Sequence, residues 1–399
     1  MKENKLCLRI LYRRSARSCR RILCGVGALC ILLSVTVRGA DSSENTPFDV
    51  DALSAVLMEA GTGEILYAKN ADQPLPPASV TKVMTLLLVM EAVDSGQLSL
   101  ADTVTVSEYA ASMGGSQVYL EPGEQMSVED MIKSVVVSSA NDAAVALAET
   151  LGGSEEGFVR RMNERAAELG MEHTTFENVT GLDDDTVGHL ISAEDIAIMS
   201  RALLAHEKIL DYTSIWMDTI RGGAFGLTNT NRLIRFYSGA TGLKTGSTSK
   251  AKFCISATAR RGGMHLIAVI MGAPTRDIRN EMAKRLLDWG FANYSLYQNP
   301  SGTAGTVRVR GGTAQECPLL YGAYTRLVKK GEEGNVTASL EVPAEIHAPV
   351  RAGEPVGSLV FRLGETVLDE IPVAAGADVP RISFGGVLVR MARFMLLGA

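Results

Sequence analysis

The arrangement of apolar and polar residues along the chain predicts a layered domain of strands and helices. Two short apolar runs, residues 54–59 and 64–70, lie on either side of Gly61-Thr62-Gly63 and predict a β-hairpin. Residues 80–93 are apolar on nearly every side and too numerous for a strand, which predicts a buried central helix. Apolar residues spaced three and four apart predict further helices over 128–137, 142–151, 158–169 and 193–204.

The pattern changes after residue 239, where three strands and a closing helix are predicted. The strands are residues 239–246, 252–259 and 265–272, with a tight turn at 260–263, and residues 277–291 form an amphipathic helix. Strands from both ends can share one mostly antiparallel sheet with helices on both of its sides. The predicted fold class is therefore α+β, with a domain over residues 51–295 that follows a polar linker at 41–50.

The rest of the chain predicts a second domain and a terminal helix. Segment 299–305 predicts a linker, and the short β-rich runs after it predict a small all-β, sandwich-like domain over residues 300–378. Residues 380–399 predict an amphipathic helix with one polar or small stripe: Ser383, Gly386, Arg390 and Arg393. This helix could dock on the protein or lie in a membrane interface. The interface is favoured because a cationic, apolar helix is hard to place on an acidic surface.

The first 40 residues predict a secretory signal peptide. They hold nine Lys and Arg against one acid, a net charge of +8, and residues 22–37 are uncharged and mostly apolar. Sixteen residues fall short of the ~20 that cross a bilayer, so a permanent anchor is the less favoured alternative. We therefore expect an exported protein held peripherally at the outer face of the cytoplasmic membrane.

Charge and metal-ligating residues exclude several classes of function. Since the whole chain carries −6, the part after residue 40 carries −14, which argues against a nucleic-acid partner. Only Cys254 and Cys317 lie outside the leader, and the five histidines are scattered, so we expect neither a metal nor a cofactor. Arg276 and Arg279 could reach the site of chemistry, but a solvated helix start is the favoured interpretation.

One spacing points to nucleophilic catalysis. Ser79 and Lys82 lie three residues apart at the start of the predicted buried helix, so a hydroxyl and an amine can meet on one face. The spacing alone is weak, because Ser247 and Lys250 repeat it and a capped helix with an exposed lysine would explain it equally well.

Two further motifs favour the catalytic interpretation of the Ser79–Lys82 spacing. Ser139-Ala140-Asn141 lies between two predicted helices, and Lys244-Thr245-Gly246 lies on a predicted strand. The three motifs, in this order, resemble the signature of serine penicillin-recognising enzymes. Segments such as PASVTKVMT, SSANDAAVALAE and GLKTGSTSKAKFC are similar to the low-molecular-weight D-alanyl-D-alanine carboxypeptidases, with the sporulation-associated members most similar. The family usually has Gly where Ala140 stands.

The resemblance implies a β-lactamase/transpeptidase-like fold and a role for each motif residue. Ser79 would attack the penultimate D-Ala of a peptidoglycan stem peptide ending in D-Ala-D-Ala, and Lys82 would be the general base. The other implied roles are proton relay by Ser139, amide binding by Asn141, carboxylate binding by Lys244 and Thr245, close backbone approach at Gly246, and an oxyanion-hole amide at Ser247. β-Lactams would acylate Ser79 as covalent inhibitors.

Three alternatives use the same residues or the same fold. A D,D-endopeptidase that cuts peptide crosslinks cannot be separated from a carboxypeptidase by sequence. A β-lactamase is disfavoured, since no Glu-x-x-Leu-Asn stretch is present to activate the deacylating water. A non-catalytic wall-binding or β-lactam-sensing module is disfavoured because all motif side chains are intact.

Overall fold

The computed structural model describes residues 48–183 and 186–397. The predicted signal peptide and most of the predicted 41–50 linker lie outside these residues. The described residues belong to one compact unit, which spans 41–399.

The first part of the chain alternates between strands and helices. Its strands are β1 (Ser54–Glu59), β2 (Ile65–Lys69), β3 (Thr103–Thr105), β4 (Gln125–Ser127), β5 (Met217–Ile220), β6 (Phe225–Thr228), β7 (Ala240–Thr248), β8 (Lys252–Arg261) and β9 (Met264–Ala273). Its α-helices are α1 (Lys82–Asp94), α2 (Glu108–Ala111), α3 (Val128–Val137), α4 (Asn141–Gly152), α5 (Glu155–Glu168), α6 (Ala193–Leu204), α7 (Ile209–Thr213), α8 (Leu233–Phe236) and α9 (Arg276–Asn293). Two 3₁₀ turns complete it, Ala78–Thr81 and Arg221–Gly223.

A five-stranded antiparallel sheet separates two apolar cores. Its order is β2-β1-β9-β8-β7, so the N-terminal hairpin and the later strands join in one sheet as predicted. Alternate residues of a strand point to opposite faces. Val56, paired with Val269, lies in the core shared with α1 and α6, whereas Leu57 lies in the core shared with α9. The predicted α+β arrangement with helices on both sides is confirmed.

The second part of the chain is all β. It contains β10 (Tyr294–Asn299), β11 (Gly302–Arg310), β12 (Glu316–Tyr321), β13 (Tyr324–Lys329), β14 (Val336–Glu341), β15 (Glu345–His347), β16 (Pro355–Leu363) and β17 (Thr366–Ala375). A six-stranded sheet of order β14-β16-β17-β12-β11-β15 faces the pair β10-β13. Tyr324 stacks on Phe361 with ring centroids 4.0 Å apart, which joins the two sheets. The predicted small all-β domain is confirmed.

The predicted linker at 299–305 is mostly strand. Asn299 ends β10 and Gly302 begins β11, which leaves only residues 300–301 between the two strands. The glycines that suggested a linker instead accommodate a bulge, because Gly305 has φ 141° where the β11–β12 register shifts.

A final helix, α10 (Phe384–Leu397), follows the β domain. Its Arg390 guanidinium donates hydrogen bonds to the carbonyls of Gly312 and Thr313, so the predicted polar stripe faces the β domain there. The side chains of Phe384, Phe394 and Leu396 are 80%, 68% and 82% exposed. Within the described residues, every helix is too short or too polar to cross a bilayer.

Candidate active site

Ser79 and Lys82 meet at the start of the central helix. Ser79 lies in the 3₁₀ turn Ala78–Thr81, and α1 begins at Lys82, so the serine precedes the α-helix that was predicted to start beside it. The Lys82 Nζ lies 2.9 Å from the Ser79 Oγ. The three-residue spacing therefore brings a nucleophile and an amine into hydrogen-bond contact.

Lys82 is completely buried, and two further acceptors fix its amine. Its Nζ donates to the Asn141 Oδ1 at 2.6 Å and to the Thr180 carbonyl at 2.9 Å. Burial lowers the pKa of Lys82 well below its ordinary value, and the like charge of Lys244 lowers it further, against the opposing charge of Asp142. The lowered pKa favours the neutral amine, which is the form that a general base requires.

Ser139 and Lys244 form a second contact beside the first. Ser139 has φ 62° in the connection between α3 and α4, and its Oγ accepts a hydrogen bond from the Lys244 Nζ at 2.7 Å. Lys244 also donates to the carbonyl of Thr245. Burial lowers the pKa of Lys244 to about 7, with a further lowering from the charge of Arg279. The pKa of the second lysine therefore also lies below the ordinary lysine value.

Strand β7 lies directly against the turn that carries Ser79. A Cβ built on Gly246 would lie 2.8 Å from the Pro77 carbonyl oxygen and 2.9 Å from the Ser79 nitrogen, so only glycine fits. The close approach at this glycine is thus to the chain's own backbone. Thr245 donates from its Oγ1 to the Thr230 Oγ1 at 2.8 Å, and Ser247 is exposed at the edge of the cleft.

Asn141 joins the Lys82 amine to a neighbouring loop. Besides accepting from Lys82, its side chain donates from Nδ2 to the Gly114 carbonyl at 2.7 Å, and its backbone N–H donates to the Ser116 carbonyl. These bonds fix the orientation of the amide and leave its second side-chain N–H without a partner among the described residues.

Comparison with protein families identifies this arrangement. Residues 40–275 match the model of peptidase S11, D-alanyl-D-alanine carboxypeptidase, and residues 291–381 match that of the penicillin-binding protein 5 C-terminal domain. The chain belongs to the peptidase S11 family. It is 44% identical over 352 residues to the D-alanyl-D-alanine carboxypeptidase DacF of Bacillus subtilis, covering 86% of this chain and 90% of that one.

Solved structures show the same architecture. Penicillin-binding protein 5 from Haemophilus influenzae is similar with a TM-score of 0.75 and 32% identity, covering 84% of this chain and 100% of that one. Penicillin-binding protein D2 from Listeria monocytogenes, in its ampicillin-bound form, is similar with a TM-score of 0.57 and 34% identity, covering 62% and 100%. As an S11 carboxypeptidase the chain is a serine-type hydrolase that acts on D-Ala-D-Ala.

One contact of the Lys82 amine was not predicted from the sequence. The Thr180 carbonyl holds Lys82, and a Cβ on the adjacent Gly181 would lie 1.8 Å from the Ala78 carbonyl oxygen. A backbone carbonyl cannot be recognised from residue type. The glycine next to it is a weak sequence signal of a close backbone contact. Arg279 is 3% exposed and donates to the Asn280 Oδ1, so the favoured interpretation of a solvated helix start is wrong for this residue.

His189 connects the loop that carries Thr180 to the turn that carries Ser79. Its Nδ1 accepts from the backbone N–H of Glu177, which places the ring proton on Nε2, and Nε2 donates to the Thr81 Oγ1 at 2.7 Å. Burial lowers the pKa of His189 to about 4, so the ring is neutral at physiological pH.

Proposed function

We propose that this S11 carboxypeptidase removes the terminal D-alanine from peptidoglycan stem pentapeptides through an acyl-enzyme on Ser79. One observation supports the assignment above the others: a fully buried Lys82 amine lies 2.9 Å from the Ser79 Oγ and is held there by Asn141 and Thr180. This is the geometry of a hydroxyl nucleophile with its own base.

In the proposed acylation step, neutral Lys82 takes the Ser79 proton while the Oγ attacks the carbonyl of the penultimate D-Ala. The backbone N–H groups of Ser79 and Ser247 would stabilise the resulting oxyanion, which requires the close contact between β7 and the nucleophile turn at Gly246. The C–N bond then breaks as the Ser139 hydroxyl gives its proton to the leaving amine and takes up in turn the proton held by Lys82. Water next attacks the ester and frees the shortened stem.

The leaving D-Ala carries a carboxylate, which we assign to the Lys244 side of the cleft. Lys244 supplies the positive charge, and the hydroxyls of Thr245 and its partner Thr230 supply hydrogen bonds. A β-lactam presents an amide and a carboxylate with a similar separation, so it would acylate Ser79 by the same route. The ampicillin-bound relative supports this extension.

The test is D-Ala release together with mapping of the penicillin adduct. We expect the purified protein to release D-Ala from a stem pentapeptide, and benzylpenicillin to stop the release and label Ser79 in peptide mass spectrometry. A label on another serine, such as Ser139, would contradict the assigned nucleophile. A label on Ser79 without D-Ala release, but with cleavage of crosslinked muropeptides, would favour the D,D-endopeptidase.

We also propose that the protein is exported and that α10 holds it to the membrane surface. The support is the exposure of its apolar side chains: Arg390 bonds the β domain, while Phe384, Phe394 and Leu396 are mostly exposed. Burying a side chain of this size in an apolar phase contributes roughly 1.5–3 kcal/mol. Several exposed apolar side chains on one cationic helix suit the interface of a bilayer.

Replacing Phe384, Phe394 and Leu396 with serine should weaken vesicle binding by more than about 100-fold, because at least ~3 kcal/mol of burial is lost. The measurement is co-sedimentation of protein lacking residues 1–40 with vesicles that contain anionic phospholipid. The control is Val367→Ser, which changes a half-exposed apolar residue of the β domain. Equal binding by the triple variant and the control would contradict the anchor.

A further inference from the structure

An exposed tyrosine lies beside the active site in a strained conformation. Tyr119 is 71% exposed, although its neighbours Val118 and Leu120 are buried. Its φ is 56°, in the left-handed region. A bulky aromatic residue there costs on the order of 1–2 kcal/mol, so its surroundings must hold it in place.

Buried and charged groups hold the backbone of this segment from two sides. The Asp142 carboxylate, directly after Asn141, accepts the N–H groups of Val118 and Leu120, each at 3.1 Å. On the other side, Arg221 donates to the carbonyls of Val118 at 2.8 Å and Tyr119 at 3.1 Å. Four bonds thus flank one outward-pointing ring. Strain of this kind concentrates at ligand-binding sites.

A second aromatic residue extends the surface. The ring of Phe225 lies edge-on to that of Tyr119, with centroids 6.3 Å apart, and the Arg221 guanidinium lies 5.4 Å from the Phe225 centroid. Phe225 begins β6, and the chain after this strand leads to Thr230, the partner of Thr245. We call Tyr119 and Phe225 the aromatic shelf. It is anchored beside Asn141 on one side and connects to the Thr245 side through β6.

The shelf offers apolar contact and little free charge. Arg221 already donates from Nε and Nη2 to Glu124 and from Nη1 and Nη2 to the two carbonyls. Its charge is therefore paired within the protein. A ligand on the shelf is recognised by C–H groups packed on aromatic faces, not by an ion pair.

We propose that the aromatic shelf binds the aliphatic part of the stem-peptide residue that immediately precedes D-Ala-D-Ala. This proposal rests on the proposed carboxypeptidase function and adds a subsite to it. An extended peptide advances about 3.3 Å per residue, so that residue lies within roughly 7 Å of the scissile carbonyl. The sugar at the other end of the stem is farther from that carbonyl. The aromatic shelf lies close to Asn141, because the adjacent Asp142 bonds the backbone on both sides of Tyr119.

The test compares Tyr119→Asn with wild type on two substrates. Asparagine tolerates positive φ, so the variant should fold at least as stably as wild type while lacking the ring. We expect kcat/KM for a sugar-free pentapeptide to fall about tenfold, since remote binding contributes to the transition state. For N-acetyl-D-Ala-D-Ala, which lacks the preceding residue, we expect a change of less than about twofold.

Two control variants and a third substrate make the outcomes separable. Tyr119→Phe keeps the ring and should retain the pentapeptide rate, and Val367→Asn, in the β domain, should change neither rate. Equal losses on both substrates, or no loss on either, would overturn the subsite. A loss seen only with a disaccharide-linked pentapeptide would assign the contact to the sugar and overturn the peptide assignment. Failure of wild type to release D-Ala from the pentapeptide would instead refute the proposed function.

Discussion

Replacing Lys82 with methionine is expected to lower kcat/KM for D-Ala release by about 10⁴-fold or more, close to the effect of Ser79→Ala. Methionine has a similar length and no amine, so the Ser79 hydroxyl loses its base. Because the two side chains act as one unit, the double variant should be hardly slower than either single variant. Acylation by benzylpenicillin should fall in parallel, since it begins with the same proton transfer.

A surface lysine provides the matched control for this experiment. Lys208→Met removes an ammonium that is half exposed and paired with Asp211, and it should leave the rate unchanged. Near-UV circular dichroism and thermal unfolding of Lys82→Met would show whether the buried methionine leaves the fold intact. Additive losses in the double variant, or a Lys82→Met variant that is acylated at the normal rate, would contradict the role of Lys82 as base.

The sequence predicts the contact between Ser79 and Lys82 because its spacing is local. A three-residue separation at a helix start brings Ser79 to Lys82 whatever the rest of the fold, and helices α3 and α6 begin and end at the predicted residues. The strands of the central sheet are also predicted within two residues at each end. Each of these elements carries its own apolar period or turn, which tertiary contacts reinforce.

The predictions fail where a contact is long-range or has no side-chain signature. The Thr180 carbonyl reaches Lys82 across 98 residues of sequence, and a backbone oxygen cannot be recognised from residue type. The short elements between residues 209 and 228 carry too few apolar positions to show a period. The parallel pairing of β11 with β15 is equally hidden, because it joins strands that are far apart in the chain.

Removing the second buried amine should separate substrate binding from stability. Lys244→Met is expected to lower kcat/KM for D-Ala release by about 10³-fold, because the substrate carboxylate loses its charge-assisted partner. A substrate whose C-terminal carboxylate is replaced by an amide makes no such ion pair. We therefore expect wild type and variant to differ by less than about tenfold on that amide, which steady-state kinetics would measure.

The same variant should be more stable than wild type at low pH, because a buried ammonium has been replaced by an apolar group. The folded pKa of Lys244 is about 7, well below the ordinary value for lysine. Between that pH and the ordinary lysine pKa of about 10.4, the unfolded chain holds a proton that the folded chain has lost. The free energy of unfolding of wild type should therefore rise with pH across this window. Lys244→Met should lack that contribution and gain about 2 kcal/mol at pH 6 in urea titrations. Equal pH dependence in both proteins would show that Lys244 stays charged in the fold.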